Sequence, residues 1–422
     1  MHRSSSIRRA IALFALLVLG AAATAVAQEK ITIRWAEYPR AGIEEFAAEA
    51  TALFSQLHPE IEVIYEPVVD PERLTTAMIA GTGPDVVAWW TDHLRGWGES
   101  GLLIDLGPYM DRDFTREDFD DFNPGQMREF TLPSGSRYAL PLFGGTLAMW
   151  YNKNRVNEAG LAEPDENLDW ASFREMARKL TRRIGDATEQ WGVQAFLSYE
   201  RVVPWVWQNG GRTHPPGDNS VSLLNEPKAA QAIQFLADLM HQDLVMPVGG
   251  MQSNEVFRQG RVGMEIEGSW AINWYMSDPD LEIGIAHLPR GEAGRASVIA
   301  YEAYGINRES PNRDAAWLWL KFLTGREANE IRARTLGLQP ARRSAAFEWF
   351  NVVRDTFPAA AGARVEVFAE TWAYAEPAPM YAKNLDAMSV ISQALLRIFN
   401  QGEPAQIVLD ELIPPLNVRM AN

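Results

Sequence analysis

The chain has 422 residues, enough for two or three domains, and its 47% hydrophobic and 22% charged residues exclude wholesale disorder. With 55 acidic against 39 basic residues the net charge is −16, which argues against a nucleic-acid surface. The absence of cysteine excludes disulfides, thiolate metal sites, thiol nucleophiles and a lipid-modified N-terminal Cys, while an excess of Trp (15, against 11 Tyr) points to ring stacking on a ligand as one use.

Residues 1–27 read as an export leader. Arg3, Arg8 and Arg9 form a basic start, Ile11 to Leu19 a short apolar core, and Ala25-Val26-Ala27 a cleavage site before Gln28. The apolar run is too short for a comfortable membrane span. The residues after Arg8-Arg9 do not support a twin-arginine signal, so the general secretory route is preferred. The expected product is exported, soluble and not a lipoprotein, and a periplasm is its natural compartment.

Beyond the leader, strand and helix signals alternate, which favours α/β architecture. Ile31 to Trp35 alternates as a strand; Ile43 to Leu57 has helical apolar spacing and stops at His58-Pro59. Ile61 to Tyr65 is a second strand, Leu74 to Ala80 a short helix ended by Gly81-Thr82-Gly83-Pro84, and Asp85 to Trp89 a buried strand. Leu147 to Tyr151 is a strand, Trp170 to Thr181 a helix capped by Asp169, and Pro227 to Met240 a helix with proline in its first turn. Gly263 to Glu267 enters the turn Gly268-Ser269-Trp270; Ala315 to Leu323 and Leu385 to Phe399 are apolar helices.

Catalytic and cofactor motifs fail on spacing. Gly81-Thr82-Gly83-Pro84 lacks the Gly-Lys-Ser/Thr ending of a phosphate cradle and precedes a strand. Asp111-Arg112-Asp113 begins like a calcium loop, but Arg116 stands where glycine must turn and Phe122 where a bidentate acid belongs. The six histidines show no metal spacing, and no Gly-x-Ser-x-Gly elbow occurs. No metal or cofactor is expected. Paired carboxylates for glycoside hydrolysis remain open, because any two of 55 acids can meet in space.

A series of short motifs in order is more telling. Gly81 to Trp89 is followed by Asp92 and by Glu99-Ser100-Gly101-Leu102-Leu103-Ile104-Asp105-Leu106. Tyr138-Ala139-Leu140-Pro141 leads through Gly145-Thr146-Leu147 to Tyr151-Asn152-Lys153 and Ala159-Gly160-Leu161. Gln208-Asn209-Gly210-Gly211, Phe257 to Met264, Gly268-Ser269-Trp270, Tyr304-Gly305-Ile306-Asn307 and Gly337-Leu338-Gln339-Pro340 follow. This series resembles the extracellular solute-binding proteins of ABC importers, in the group of sugar and glycerol-phosphate binders. The resemblance implies a two-lobed α/β fold with ligand in the cleft and a multi-strand hinge on which the lobes close. It implies lobe one at 28–142 and 301–325 and lobe two at 143–300 and 326–422, with crossings near Pro141–Gly145, near Ala300–Tyr304 and after Leu323.

Sugars present hydroxyls and flat C–H faces, so a site needs carboxylates or amides and aromatic rings. Trp35 and Glu37 end the first strand, where a cleft opens; core burial of Trp35 is the competing reading. By resemblance, Trp89 and Asp92 supply stacking and a hydroxyl acceptor, with one of Trp89 and Trp90 in the core. Gly145 stands where maltose-binding members carry a cleft acid, a departure that puts maltose itself in doubt. Glu200, Trp205 and Trp207 precede Asn209-Gly210-Gly211 in a stretch that lines the second lobe's side in the family. Trp270 matches the family's Gly-x-Trp turn and is the first stacking candidate. Tyr301 and Glu302 sit at the return crossing; Arg343 and Trp372 are further ligand candidates. Trp170, Trp191, Trp317 and Trp319 are assigned to helix starts and core.

The resemblance thus implies a monomeric, non-enzymatic periplasmic protein that captures a carbohydrate and passes it to a membrane permease, without cofactor, metal or nucleic acid. A polyol or glycerol-phosphate binder in the same fold, or a secreted glycosidase or lyase, is the alternative.

Overall fold

The computed structural model describes residues 30–251, 253–299, 302–381 and 384–421. The expected leader, residues 1–27, lies outside them. The strands are β1 (Ile31–Glu37), β2 (Ile61–Pro67), β3 (Val86–Trp90), β4 (Leu140–Pro141), β5 (Leu147–Asn152), β6 (Arg182–Ile184), β7 (Ala187–Ala195), β8 (Val262–Gly268), β9 (Ile283–Ala286), β10 (Ser297–Val298), β11 (Glu302–Ile306) and β12 (Ala375–Glu376). They form a five-stranded sheet in the order β2-β1-β3-β11-β4, another in the order β6-β7-β8-β5-β9, and the β10-β12 pair.

The first lobe starts as two parallel β-α-β crossovers, as the alternating signals predict. The helix Ile43–Leu57 forms because Ile43, Phe46, Ala47, Ala50 and Phe54 recur at helical spacing and are buried together. The His58 amide donates to the Phe54 carbonyl at 2.8 Å and closes its end. The helix Pro71–Ile79 starts where Asp70 Oδ1 accepts from the Arg73 amide at 2.9 Å, with proline at the first position. Ile33, Trp35, Tyr304 and Ile306 pack on one face of the sheet with the helices Ile43–Leu57, Arg313–Leu323 and Arg326–Leu336. Ala36, Val87, Trp89 and Ala303 pack on the other, under Leu74, Met78, Leu94 and Trp97.

The second sheet is likewise covered twice. Met149, Tyr151, Val193, Met264 and Ile266 meet the helices Trp170–Leu180, Tyr199–Gln208 and Pro227–His241 and the C-terminal helices Asn384–Gln401 and Ala405–Ala421. Ala148, Trp150, Val262, Ile283 and Ile285 meet Tyr275, Trp349, Val353 and Phe368.

The end of the first lobe differs from the expectation. Lobe one was expected to end at 325, yet Ala328, Ile331 and Leu336 share a core with Ile33 and Trp35. The cause is an apolar stripe that faces the helix Ile43–Leu57, together with Arg332, which reaches Glu37 at 3.1 Å. The chain therefore leaves this lobe after Leu336, not after Leu323. The crossings run through 142–146, from Ile299 to Glu302, and through 337–342. Phe143 bridges Pro340, and the Gly144 amide donates to the Gln339 carbonyl at 2.9 Å, so two crossings are tied side by side.

Candidate functional site

Between the lobes lies a cleft of about 320 Å³. Tyr38, Arg40, Trp90 and Glu302 line it from the first lobe, Glu200, Arg201, Trp270 and Trp274 from the second, and Phe143, Val298 and Ile299 from the crossings. It sits beyond the C-terminal ends of β1 and β3, where the edge of an open α/β sheet leaves room for ligand.

Each side chain arrives there by its local geometry. On β3, Val87 and Trp89 point to one core and Val86 and Ala88 to the other, so the terminal Trp90 leaves the helix-covered zone and is 38% exposed. Its partner across the antiparallel pair is Glu302. Tyr38, just past β1, holds its ring 5.0 Å from that of Trp90. On the opposite wall, Gly268 enters a short 3-10 turn, Ser269–Ala271. A Cβ on Gly268 would lie 2.3 Å from the Trp270 ring, so glycine is what lets this indole fold back. Trp274 is one helical turn further on the same face and half-exposed.

The charges are paired within each lobe. Arg40 meets Glu302 at 2.5 Å, and Arg201 meets Glu267 at 2.9 Å. Burial works against the charge on both arginines, but Glu302 and Glu37 outweigh it at Arg40, and Glu267 outweighs it at Arg201. Both stay cationic. The Arg201 guanidinium also lies over the Trp270 ring, 5.2 Å from its centroid. Glu200, at the start of the helix Tyr199–Gln208, accepts from the Ser198 hydroxyl.

Glu200, Trp270 and Glu302 are the sequence candidates that line this cleft. Trp35 is fully buried against Phe46, Tyr65 and Trp319, because its place on β1 faces the helical layer. Glu37 is buried too: it accepts from Tyr304 Oη at 2.8 Å and from Arg332 Nη1 at 3.1 Å, and so clamps a helix to the sheet. Trp89 is 4% exposed and packs in the core, since period-two alternation gives the cleft to its neighbour. Trp205 is enclosed by Trp170, Phe173 and Phe235. Gly145 does not line the cleft; a Cβ there would meet the Phe143 ring at 2.6 Å. Arg343 is exposed at the start of the helix Arg343–Thr356, and the inward arginine is Arg342, which pairs with Asp118 and Asp121. Trp372 packs against a crossing, its indole N–H donating to the Gly144 carbonyl at 2.7 Å. Asp92 lies in the first turn of the helix Thr91–Glu99, its side chain outside the described residues, as is Tyr301.

Sequence reasoning missed Tyr38, Arg40, Arg201 and Trp274 and preferred Trp89 to Trp90. The signals were present: Tyr38 and Arg40 follow directly on a parallel strand's C-terminal end, and Trp274 is one turn after Trp270. Among the described residues, no group of three or more His, Asp or Glu is placed to hold a metal ion, and no helix is long and apolar enough to cross a membrane.

Residues 36–330 match the bacterial extracellular solute-binding protein family. The chain is 27% identical over 345 residues to a binding protein of Brucella abortus (strain 2308), covering 78% of this chain and 80% of that one. It is 27% identical over 299 residues to the maltotriose-binding protein of Pyrococcus abyssi, covering 67% and 60% of the two. Its fold matches an ABC substrate-binding protein of Listeria monocytogenes, solved in complex with cycloalternan, with a TM-score of 0.81 at 19% identity, over 93% of this chain and 99% of that one.

Proposed function

The chain belongs to the bacterial extracellular solute-binding proteins, and we propose that it captures a carbohydrate between its lobes and delivers it to the permease of an ABC importer. The observation that carries this reading is the cleft wall itself. Tyr38 and Trp90 on one lobe and Trp270 and Trp274 on the other offer rings to a sugar's C–H faces, while Arg40, Glu302 and Glu200 offer planar polar groups to its hydroxyls. A volume of about 320 Å³ is at the small end of ligand sites, which suits a short saccharide. The Pyrococcus and Listeria relatives, whose descriptions name maltotriose and cycloalternan, support the same class.

The protein acts as a monomer by binding and release, without chemistry on the sugar. It reaches the periplasm through the leader of residues 1–27, cut before Gln28, and is not lipidated. A calorimetric and thermal-shift screen across mono- and oligosaccharides tests the reading, since a ligand at 100 times its dissociation constant stabilises by about 2.7 kcal/mol. The expected outcome is a saccharide bound at micromolar or better and recovered unchanged. Sugar turnover at enzyme-like rates would overturn it.

A further inference from the structure

The charges around the cleft do not balance. Arg40 is matched by Glu302 at 2.5 Å and Arg201 by Glu267 at 2.9 Å, both partners being buried carboxylates. Behind them Arg332 is matched by Glu37 at 3.1 Å. Glu200 is the charge left over. Arg201 acts on it electrostatically but makes its ion-pair contact with Glu267, and the group bonded to Glu200 is the neutral Ser198 hydroxyl. Arg40, Arg201, Glu200 and Glu302 balance on the lining itself, but with the buried Glu267, Glu37 and Arg332 behind it the charges named here are four carboxylates against three guanidiniums, in a cleft lined by the aromatic residues Tyr38, Trp90, Trp270 and Trp274.

Such a cleft discriminates by charge. An anionic ligand would bring a second negative charge beside Glu200 and find both arginines already ion-paired, although Arg40 Nε has no hydrogen-bond partner among the described residues. A neutral ligand can bond Glu200 through its hydroxyls but leaves it sharing Arg201 with Glu267 for counter-charge, which is costly wherever water is excluded. A ligand cation meets the carboxylate and the negative ring faces at once, and one cation already uses such a face: Arg201 sits 5.2 Å from the Trp270 centroid.

We propose that the saccharide this cleft takes carries a protonated amino group, and that Glu200 is the residue that reads it. This rests on the carbohydrate reading and narrows it to amino sugars and their short oligomers.

The test uses the intact mature chain and calorimetry with three probe sets: glucosamine with its di- and trisaccharide, glucose with maltose and maltotriose, and glucuronate with glycerol 3-phosphate. The glucosamine set is expected to bind at least about tenfold tighter than the neutral set, as for a hydrogen bond to a charged group, and the anionic set not at all. Glu200→Gln should erase that advantage while its urea midpoint stays unchanged. On the unmodified protein, raising NaCl should weaken the amino sugars and leave the neutral ones alone. Equal or tighter binding of the neutral or anionic set, or an amino preference that survives Glu200→Gln, overturns the proposal and leaves the carbohydrate reading standing. A panel in which no sugar of any charge binds overturns both.

Discussion

Trp90 and Glu302 are direct partners across the antiparallel β3–β11 pair, and both face the interlobe cleft. One register therefore sets an aromatic ring and an ion-paired carboxylate side by side on the first lobe. A slip of one residue would exchange Trp90 for Trp89, whose side chain belongs to the core, so the register that builds the sheet also builds the site.

This separates two adjacent tryptophans by experiment. Trp90→Ala should cost roughly 2–4 kcal/mol of ligand binding, the range for an aromatic anchor, with little change in the urea midpoint because the ring is 38% exposed. Trp89→Ala should lower stability by about 3–5 kcal/mol through a core cavity. Calorimetric titration and urea melts on both variants check the assignment, and an early melt for Trp90→Ala would refute it.

How much of this was legible beforehand depends on which interaction decides each residue. The strand-helix alternation and the lobed architecture follow from local periodicity and an ordered motif series, and both were readable. The side of a strand that reaches the cleft depends on which helices cover the sheet, and that is not local. Trp35, Trp89 and Trp205 look like stacking residues in sequence, yet packed helices enclose all three. Arg40 could be placed near a strand end, but the ion pairs that hold Arg40 and Arg201 could not be read, because their partners, Glu302 and Glu267, lie far away along the chain. Trp372 and Gly144 meet only because the end of the helix Glu366–Thr371 packs against the crossing 142–146, far away along the chain.

The fully buried Glu37–Arg332 pair should be a stability determinant rather than a ligand site. Arg332→Met leaves Glu37 and the Tyr304 hydroxyl without the guanidinium that both contact. The expected loss is about 3–5 kcal/mol in urea unfolding, as for removal of one partner of a buried pair. Replacing both, as Glu37→Leu with Arg332→Met, should recover a large part of it. A double variant no more stable than the single one would show that Arg40, which also acts on Glu37, needs that carboxylate.

Stability should depend on pH through Glu265. Burial, reinforced by the neighbouring Glu267, pushes its carboxyl up to about 8. A proton there supplies a donor where Glu265 Oε2 and Gln194 Oε1 are both enclosed without one. In the unfolded chain the group titrates near its ordinary value, about 4.3. Between these values the folded state holds a proton that the unfolded state has lost, so stability from this group falls as pH rises from about 4 to about 8 and levels off above. Urea midpoints measured from pH 5 to 9 should show that decline, and Glu265→Gln should flatten it.

The second lobe's aromatic wall hangs on a glycine. A Cβ added at Gly268 would stand 2.3 Å from Trp270 ring atoms, far inside contact distance. The backbone there is extended, with φ −90°, so alanine adds no backbone strain and its nearest conflict is with the indole. Trp270 is half-buried at the cleft edge, packed against Phe143 and Arg201, whereas β8 behind it is held between β7 and β5. Gly268→Ala should therefore move the ring and spare the sheet. It should weaken ligand binding nearly as much as Trp270→Ala, by roughly 2–4 kcal/mol for a central aromatic, and shift the urea midpoint much less than a core cavity would. The displaced ring also loses Arg201 from its face, so the guanidinium should remain on Glu267 alone. If Gly268→Ala binds ligand normally while Trp270→Ala does not, the indole tolerates another rotamer in the site and the glycine is there for the turn.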